Sequence, residues 1–461
     1  MKSLIGTKSF YKKLIAVSLP IVVQQLITSS LQLVDNIMVG SLGDSAVGSV
    51  SSVNQLYFVV ILVIFGALGG AGVYSAQYFG AKDFDKLKQT FRFKVIVSLL
   101  LATLAFIILS IFGKFFISLF TETPVTLDNG VKYLEIIKWS MFPWAISVSI
   151  SFTFREIGIT KPLLRISIIA ILTNTVLNFL LIFGYLGFPQ LGITGAAIAT
   201  LISRFIESGL FVILLIRRGE AFNSKLKDIF KINGVVLKSI IIMAIPLMLN
   251  EILWSTGQTV FFEAYSTRGD AALAAASVTG AISQLVFVTF GGISTGIAVM
   301  VGNTLGENKL KQAQDNAKKL IFSSMLFSAF MGVLLFILSY FILGIYDISS
   351  QAKDIAIFNI RVNAFIIPVL AFNVSMYFTL RAGGDTKSTF IMDSGYMWVI
   401  QVPSAILLSR FTTLPANILF LIIQLEELPK MLFAYSRYKK RYWVRNLHKS
   451  NEENATQLLS N

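Results

Sequence analysis

An all-α polytopic membrane protein, with twelve transmembrane helices in two pseudo-symmetric six-helix bundles arranged as parallel repeats, is what the sequence predicts from three observations. Of 461 residues, 55% are hydrophobic and only 14% charged, far from the usage of soluble globular chains. About twelve apolar stretches, each near the roughly 20 residues that cross a bilayer, are separated by short polar connections. The chain also matches itself at a single offset of 226 residues, the mark of an internal duplication.

The expected spans are 14–38, 46–77, 92–118, 131–153, 162–187, 193–216, 236–262, 272–303, 317–346, 356–380, 388–410 and 415–437. Runs such as Val95 to Phe112 are apolar all round, and the period-two alternation of a membrane barrel is absent. Helices are the remaining way to satisfy the backbone in lipid. The first run follows Lys2, Lys8, Lys12 and Lys13 and continues at spanning length without a small-residue cleavage site, so it reads as a helix rather than a removable signal.

The net charge of +15 comes from 39 Lys and Arg against 24 Asp and Glu, a surplus that in another setting would suggest nucleic acid. Its placement excludes that reading. Alternate connections collect Lys82, Lys86, Lys88, Arg92 and Lys94; Arg155, Lys161 and Arg165; Arg217, Arg218, Lys225, Lys227, Lys231 and Lys238; Lys309, Lys311, Lys318 and Lys319; Arg381 and Lys387. The intervening loops hold scattered bases such as Lys132, Arg268, Lys353 and Arg410. By the positive-inside rule both termini are expected in the cytoplasm. With no cysteine in the chain, disulfides, thiolate metal sites and cysteine nucleophiles are excluded.

At the 226-residue offset Pro20 falls on Pro246, Gly43-Asp44 on Gly269-Asp270, Gly66 on Gly292, Gly70 on Gly296 and Gly80 on Gly306. Arg155, Gly158 and Thr160-Lys161 fall on Arg381, Gly384 and Thr386-Lys387. Six helices per unit is an even number, so both halves enter and leave on one face, which makes them parallel repeats. The expected organisation is an amino-terminal lobe over 1–217, a cytoplasmic linker over 218–234, a carboxy-terminal lobe over 235–438 and a disordered tail over 439–461. Gly66 and Gly70 lie four apart on one helix face, spacing that suits close packing or sliding of helices. Pro20 and Pro246 are expected to kink or open the first helix of each lobe.

Polar side chains inside the apolar segments are the candidate site residues. Asp35 stands in the stretch QQLITSSLQLVDNIMVGSLG, where an ionised acid costs roughly 2.5–3.5 kcal/mol at the bilayer centre and serves ions, protons or substrate. The fifth span carries Asn174 and Asn178 on one face, and the sixth carries Thr200. Their oxygens are hard ligands suited to Na⁺, with Asp35, Asn174 and Asn178 as the ligand set, and Asp35 could equally take a proton. The second lobe has Phe261 where the first has Asp35; it carries Glu251 where the first has Gln25. Asn250, Glu251 and Trp254 combine an acid with an aromatic one turn away, chemistry that could bind an organic cation. Arg204 with Glu207, and Glu426 or Glu427 with Lys430, are spaced as helical ion pairs. His448, the one histidine, lies in the tail, which argues against a histidine proton relay. Walker and HExxH motifs are absent, so the chain is not expected to be an enzyme.

The VDNIMVG ending of the first span, the proline heading both first helices, the GITKP and GGDTKS segments, LNFLLIFG in the fifth span and GAAIAT in the sixth resemble the multidrug and toxic compound extrusion (MATE) family along the whole hydrophobic chain. The resemblance implies two six-helix bundles around a central cavity and antiport of cationic or amphipathic compounds against Na⁺ or H⁺. It places the family's first-helix acid on Asp35, with Asn174, Asn178 and Thr200 as polar partners; the substrate contacts expected at Gln25, Asn250, Glu251 and Trp254 rest on the residues themselves. One branch of the family has an Asp where this chain has Asn178, and the acid that some members carry in the tenth helix is replaced here by Asn373 as the nearest polar group. The expected function is therefore cation-coupled export by alternating access, with no cofactor beyond the coupling ion, as a monomer in the plasma membrane. The weighed alternatives are a flippase of the same superfamily and a different twelve-helix secondary transporter; the sequence lacks the GxxxDRxGRR-like signature of the major facilitators.

Overall fold

The structure is a computed structural model that describes residues 4–121, 123–341 and 348–449. Twelve helical passes run through the described residues. They are α1 Lys8–Gly40, α2 Asp44–Gly80, α3 Phe84–Ser118, α4 124–156, α5 Lys161–Phe183 and α6 Ile193–Arg218. The second set is α7 Gly234–Ser266, α8 270–306, α9 Leu310–Leu338, α10 Ser350–Ala382, α11 Thr386–Phe411 and α12 416–439. The duplication is visible in the helix limits themselves. The bounds of α1 and α7, of α2 and α8, and of α4 and α10 all differ by the same 226 residues.

The helices end where local chemistry stops them. Asp83, Ser349 and Asp385 cap α3, α10 and α11, each side chain accepting from the amide three residues on. Gly43 and Gly269 turn the chain between the first two helices of each repeat with φ of 99° and 91°, a conformation open to glycine and costly to other residues. Both prolines lie inside unbroken helices. Four passes are irregular. A 3₁₀ turn at Lys138–Ser140 interrupts α4, π turns interrupt α8 at Ala298–Gly302 and α11 at Ile391–Gly395 and Met397–Gln401, and α12 is jointed at Glu426.

Nine of the helices among the described residues are long and apolar enough to cross a membrane by length and composition. The pieces of α4 and α12, at 14, 16, 10 and 13 residues, are each too short to be counted alone. On α3 the residues Leu100, Leu104, Ile107, Ile111 and Phe115 are exposed while Ala102, Ala105, Leu109 and Ile117 are buried. An apolar face turned outward, opposite a face packed on its neighbours, is what lipid as solvent requires.

The chain forms two compact units: Leu19–Phe79 with Asp83–Met248, and Met1–Ser18 with Gly80–Lys82 and Leu249–Asn461. Membership follows contact rather than the linear boundaries expected at 217 and 235. In the amino-terminal unit, α5 packs along α6, and Val53, Ala102, Leu134, Ala145, Ile182 and Ala197 meet in one core. The start of α7 belongs to this unit because α2 presents glycine to it. A methyl group on Gly66 would stand 2.5 Å from the Met248 Cα, and one on Gly70 would strike Ala244. The linker is also docked here: Phe222 is fully buried against Phe91 and Phe154, and Arg92 donates to Ser224 and to the Lys231 carbonyl.

In the carboxy-terminal unit, α9 runs along α10, and α8 packs on α10 as well. The beginning of α1 joins it, with Tyr11 hydrogen-bonded to Ser323 at 3.4 Å. The expected disordered tail requires a correction. Trp443 is 1% exposed, the Arg445 guanidinium donates to the carbonyls of Gly383 and Gly384, and the Asn446 amide donates to that of Gly306 at 3.0 Å. These groups lock residues 440–449 over chain turns whose carbonyls would otherwise lack donors. Residues 450–461 of the expected tail lie outside the described residues.

Candidate ion and substrate sites

The first candidate site is built by three helices of the amino-terminal unit. Asp35 lies in the last two turns of α1, Asn174 and Asn178 share one face of α5, and Thr200 stands in the second turn of α6. Hydrogen bonds join all four. The Asn178 amide donates to Asp35 Oδ1 at 2.9 Å and to Asn174 Oδ1 at 3.3 Å, and the Asn174 amide donates to Thr200 Oγ1 at 3.2 Å. Asn178 is 2% exposed, Asp35 is half-buried, and the Asn178 Oδ1 is buried with no hydrogen-bond partner. A buried acceptor left open costs about 1–3 kcal/mol, so a donor or cation arriving here would be stabilised. The buried Tyr133, on α4 and absent from the expected set, lies beside Thr200. Among the described residues no three His, Asp or Glu side chains cluster as a metal site. One carboxylate with amide oxygens suits a proton or a monovalent ion better than a divalent one.

The expected substrate residues do not form one cluster within a unit. Gln25 belongs to the amino-terminal unit, where its Oε1 is buried without a partner, while Asn250, Glu251 and Trp254 belong to the other. The adjacent Gln24 makes the contacts instead, donating to Ser167 at 2.6 Å and accepting from Arg155 at 3.3 Å. Asn250 is 2% exposed and donates to Asp393 Oδ2 at 3.0 Å while its carbonyl oxygen accepts from Ser394. Glu251 sits in the field of Arg381 and Asp393, and Trp254 is half-exposed, on the same helix one turn away.

Asp393 is the charged residue that the sequence argument passed over. It satisfies the criterion that singles out Asp35, an acid inside an apolar span, and it pairs with Lys430 at 3.0 Å. Of the two expected partners for Lys430, Glu427 is the one engaged, at 3.6 Å; Arg204 pairs with Glu207 at 2.7 Å, as its spacing suggests. Two bases counted from sequence among the loop charges make their contacts within the amino-terminal unit. Lys94 is fully buried and paired with Glu156, and the Arg155 side chain is held by Gln24. Lys94 stands in the third turn of α3, which begins at Phe84, eight residues before the expected start at 92, and Arg155 stands in the last turn of α4.

Similarity to known proteins agrees with this architecture. The MatE family model matches residues 20–180 and 246–407, two segments that begin 226 residues apart. The chain is 24% identical over 427 residues to the transporter YisQ of Bacillus subtilis, covering 89% of this chain and 90% of that protein. It is 24% identical over 404 residues to a Thermotoga maritima protein named as multidrug resistance protein NorM, covering 87% and 86%. Among solved structures, a MATE protein in complex with MaL6 superposes with a TM-score of 0.86 at 19% identity over 96% of this chain and 98% of that one. With twelve passes in two repeated sets, an extensive apolar exterior and a family model spanning most of both repeats, the chain belongs to the MatE family of multi-pass membrane transporters and is not an enzyme.

Proposed function

We propose that the protein is a cation-coupled antiporter that exports organic cations or amphipathic drugs by alternating access, with Na⁺ or H⁺ as the coupling ion. The observation that carries this reading is the contact of Asp35 with Asn178 at 2.9 Å, an acid on α1 held by an amide of α5 with an open acceptor beside it. A proton on Asp35 would turn an acceptor into a donor. A sodium ion would draw the carboxylate and the amide oxygens of Asn174 and Asn178 together. In either case the packing of α1 against α5 changes. Such binding shifts a conformational equilibrium only by the difference in affinity between the two states, so the same residues must bind the ion more weakly in the opposed state.

The substrate is a small molecule. The acid Glu251 with Trp254 favours a cationic one, by charge and by the face of the indole. Gln25 and Asn250 are assigned as further polar contacts. Both termini are placed in the cytoplasm from the loop charges, and the protein is assigned as a monomer. The reading is tested by reconstituting the protein in liposomes with equal concentrations of a cationic dye inside and outside and imposing first an inward Na⁺ gradient, then an inward proton gradient. Dye movement against its own gradient is expected under one of the two. Equal, purely passive movement with either gradient and with none would refute coupled antiport.

A further inference from the structure

The carboxy-terminal unit contains a buried charged cluster that the Asp35 reading does not use. It is assembled by α7, α10, α11 and α12. Asp393 stands in the first π turn of α11, and Glu427 and Lys430 lie one turn apart at the start of the second piece of α12. The Lys430 ammonium reaches Asp393 Oδ1 at 3.0 Å and Glu427 Oε1 at 3.6 Å. Amides of three other residues fill the remaining carboxylate positions. Asn250 donates to Asp393 Oδ2 at 3.0 Å, Gln401 to Glu427 Oε1 at 3.0 Å, and Asn373 to Glu427 Oε2 at 2.8 Å.

Two features separate this cluster from an ordinary buried ion pair. First, the Asn373 and Gln401 side chains are each 3% exposed, and the carbonyl oxygen of each has no hydrogen-bond partner. An amide that gives its N–H to a carboxylate carries its own oxygen on the same carbon, two bonds from the donating nitrogen. Leaving two such acceptors open is expensive unless positive charge is close. Second, the two carboxylates and the two open amide oxygens are all hard oxygen donors, the kind that hold an alkali cation, yet the positive charge in contact with the cluster is the protein's own Lys430, which reaches the carboxylates and leaves both amide oxygens open.

The duplication adds a third point. Asn250 aligns with Gln24 and Asp393 with Ser167, and Gln24 donates to Ser167 at 2.6 Å as Asn250 donates to Asp393. The scaffold contact is thus repeated in both units, while Glu427 replaces Leu201 and the acid at 393 replaces a hydroxyl. The two acids stand in one copy of a shared frame, while the base is common to both, Lys430 aligning with Arg204. Because 250 lies eleven residues before Phe261, the equivalent of Asp35, the cluster sits about 16 Å along the helix from where a second Asp35 would be.

We propose that this cluster is a monovalent-cation site whose occupant is the tethered ammonium of Lys430. The lysine fills the position that Na⁺ or a small alkylammonium would take, and its tether gives it an effective concentration that free ions do not match. The site is thereby closed to external cations, and ion coupling is left to the amino-terminal unit. That last consequence rests on the coupling role assigned to Asp35; the cation site itself does not.

The test uses the full-length protein carrying Asp35→Asn, so that an ion at Asp35 cannot contribute. Thermal unfolding is followed by tryptophan fluorescence in NaCl, propylammonium chloride and choline chloride at equal ionic strength. Lys430→Ala in this background is expected to lose several degrees in Tm in choline and to regain most of them, saturably, in propylammonium or Na⁺. The parent with Lys430 intact is expected to show no such difference, and neither is Lys430→Met combined with Asp393→Asn and Glu427→Gln. A folded Lys430→Ala protein with the same Tm in all three salts overturns the proposal. So does a Lys430→Ala protein that folds in none of them while the neutralised triple variant folds, because a bound cation should replace the missing ammonium. Since transport is not measured, failure of the coupling assignment leaves this result unaffected.

Discussion

At the residue scale, what separates the polar groups of this protein is whether their hydrogen bonds are closed. Lys94 and Glu156 form a closed pair: Lys94 is fully buried, and it also donates to Thr153 at 3.1 Å. Removing one partner strands the other charge, so Lys94→Met is expected to lower stability by about 3–5 kcal/mol, and Lys94→Met with Glu156→Gln by much less. A comparison of detergent-solubilised Tm values for the two variants checks this. The pair was not legible in the sequence because Lys94 follows the expected start of its span by two residues and Glu156 ends its helix, where loop charge is the ordinary reading, and a separation of 62 residues hides the contact. Asp35 with Asn174 and Asn178 was legible, because an acid isolated in an apolar run and two amides one turn apart carry their own signal. Asp393 has the same isolation. Its partner Lys430, however, is 37 residues away on another helix, beyond the i, i+3 and i, i+4 spacing through which helical ion pairs are read.

At the scale of elements, the glycines of α2 resolve in favour of packing. Gly66 and Gly70 let α7 approach so closely that a methyl group at either position would meet Met248 or Ala244 backbone. Gly70→Val is therefore expected to cost about 1–3 kcal/mol or to displace α7, read as a lower Tm and reduced yield of monodisperse protein. The tail is the other element whose role differs from its composition. Lysines and arginines around position 440 suggest a solvated segment, but the indole of Trp443 stacks on Tyr438 with ring centroids 5.3 Å apart and is shielded from solvent. Trp443→Ala is expected to lower stability by about 3–5 kcal/mol, read as a lower Tm. Amphipathic periodicity could not reveal this, since one buried aromatic and one arginine that caps carbonyls leave no repeating pattern to read.

At the scale of the whole molecule, the duplication is the strongest signal in the chain, and it carries through to helix limits that recur to the residue. It also explains what the sequence concealed. A repeat announces the shared frame but not where contact divides it, and the units exchange the opening segments of α1 and α7 close to Pro20 and Pro246. The proposed orientation can be read directly because the chain contains no cysteine. Leu186→Cys, in the fully exposed turn between α5 and α6, should react with a membrane-impermeant maleimide in intact cells, and Lys449→Cys only after permeabilisation. The reverse pattern would invert the topology.

The central claim is that Asp35 couples ion movement to export, and replacing its carboxylate tests it most directly. In proteoliposomes, Asp35→Asn is expected to abolish dye accumulation driven by an imposed Na⁺ or proton gradient while gradient-free exchange of dye across the membrane continues, because the substrate path is intact and the link to the ion is lost. Gradient-driven accumulation by Asp35→Asn at the wild-type rate would contradict the account.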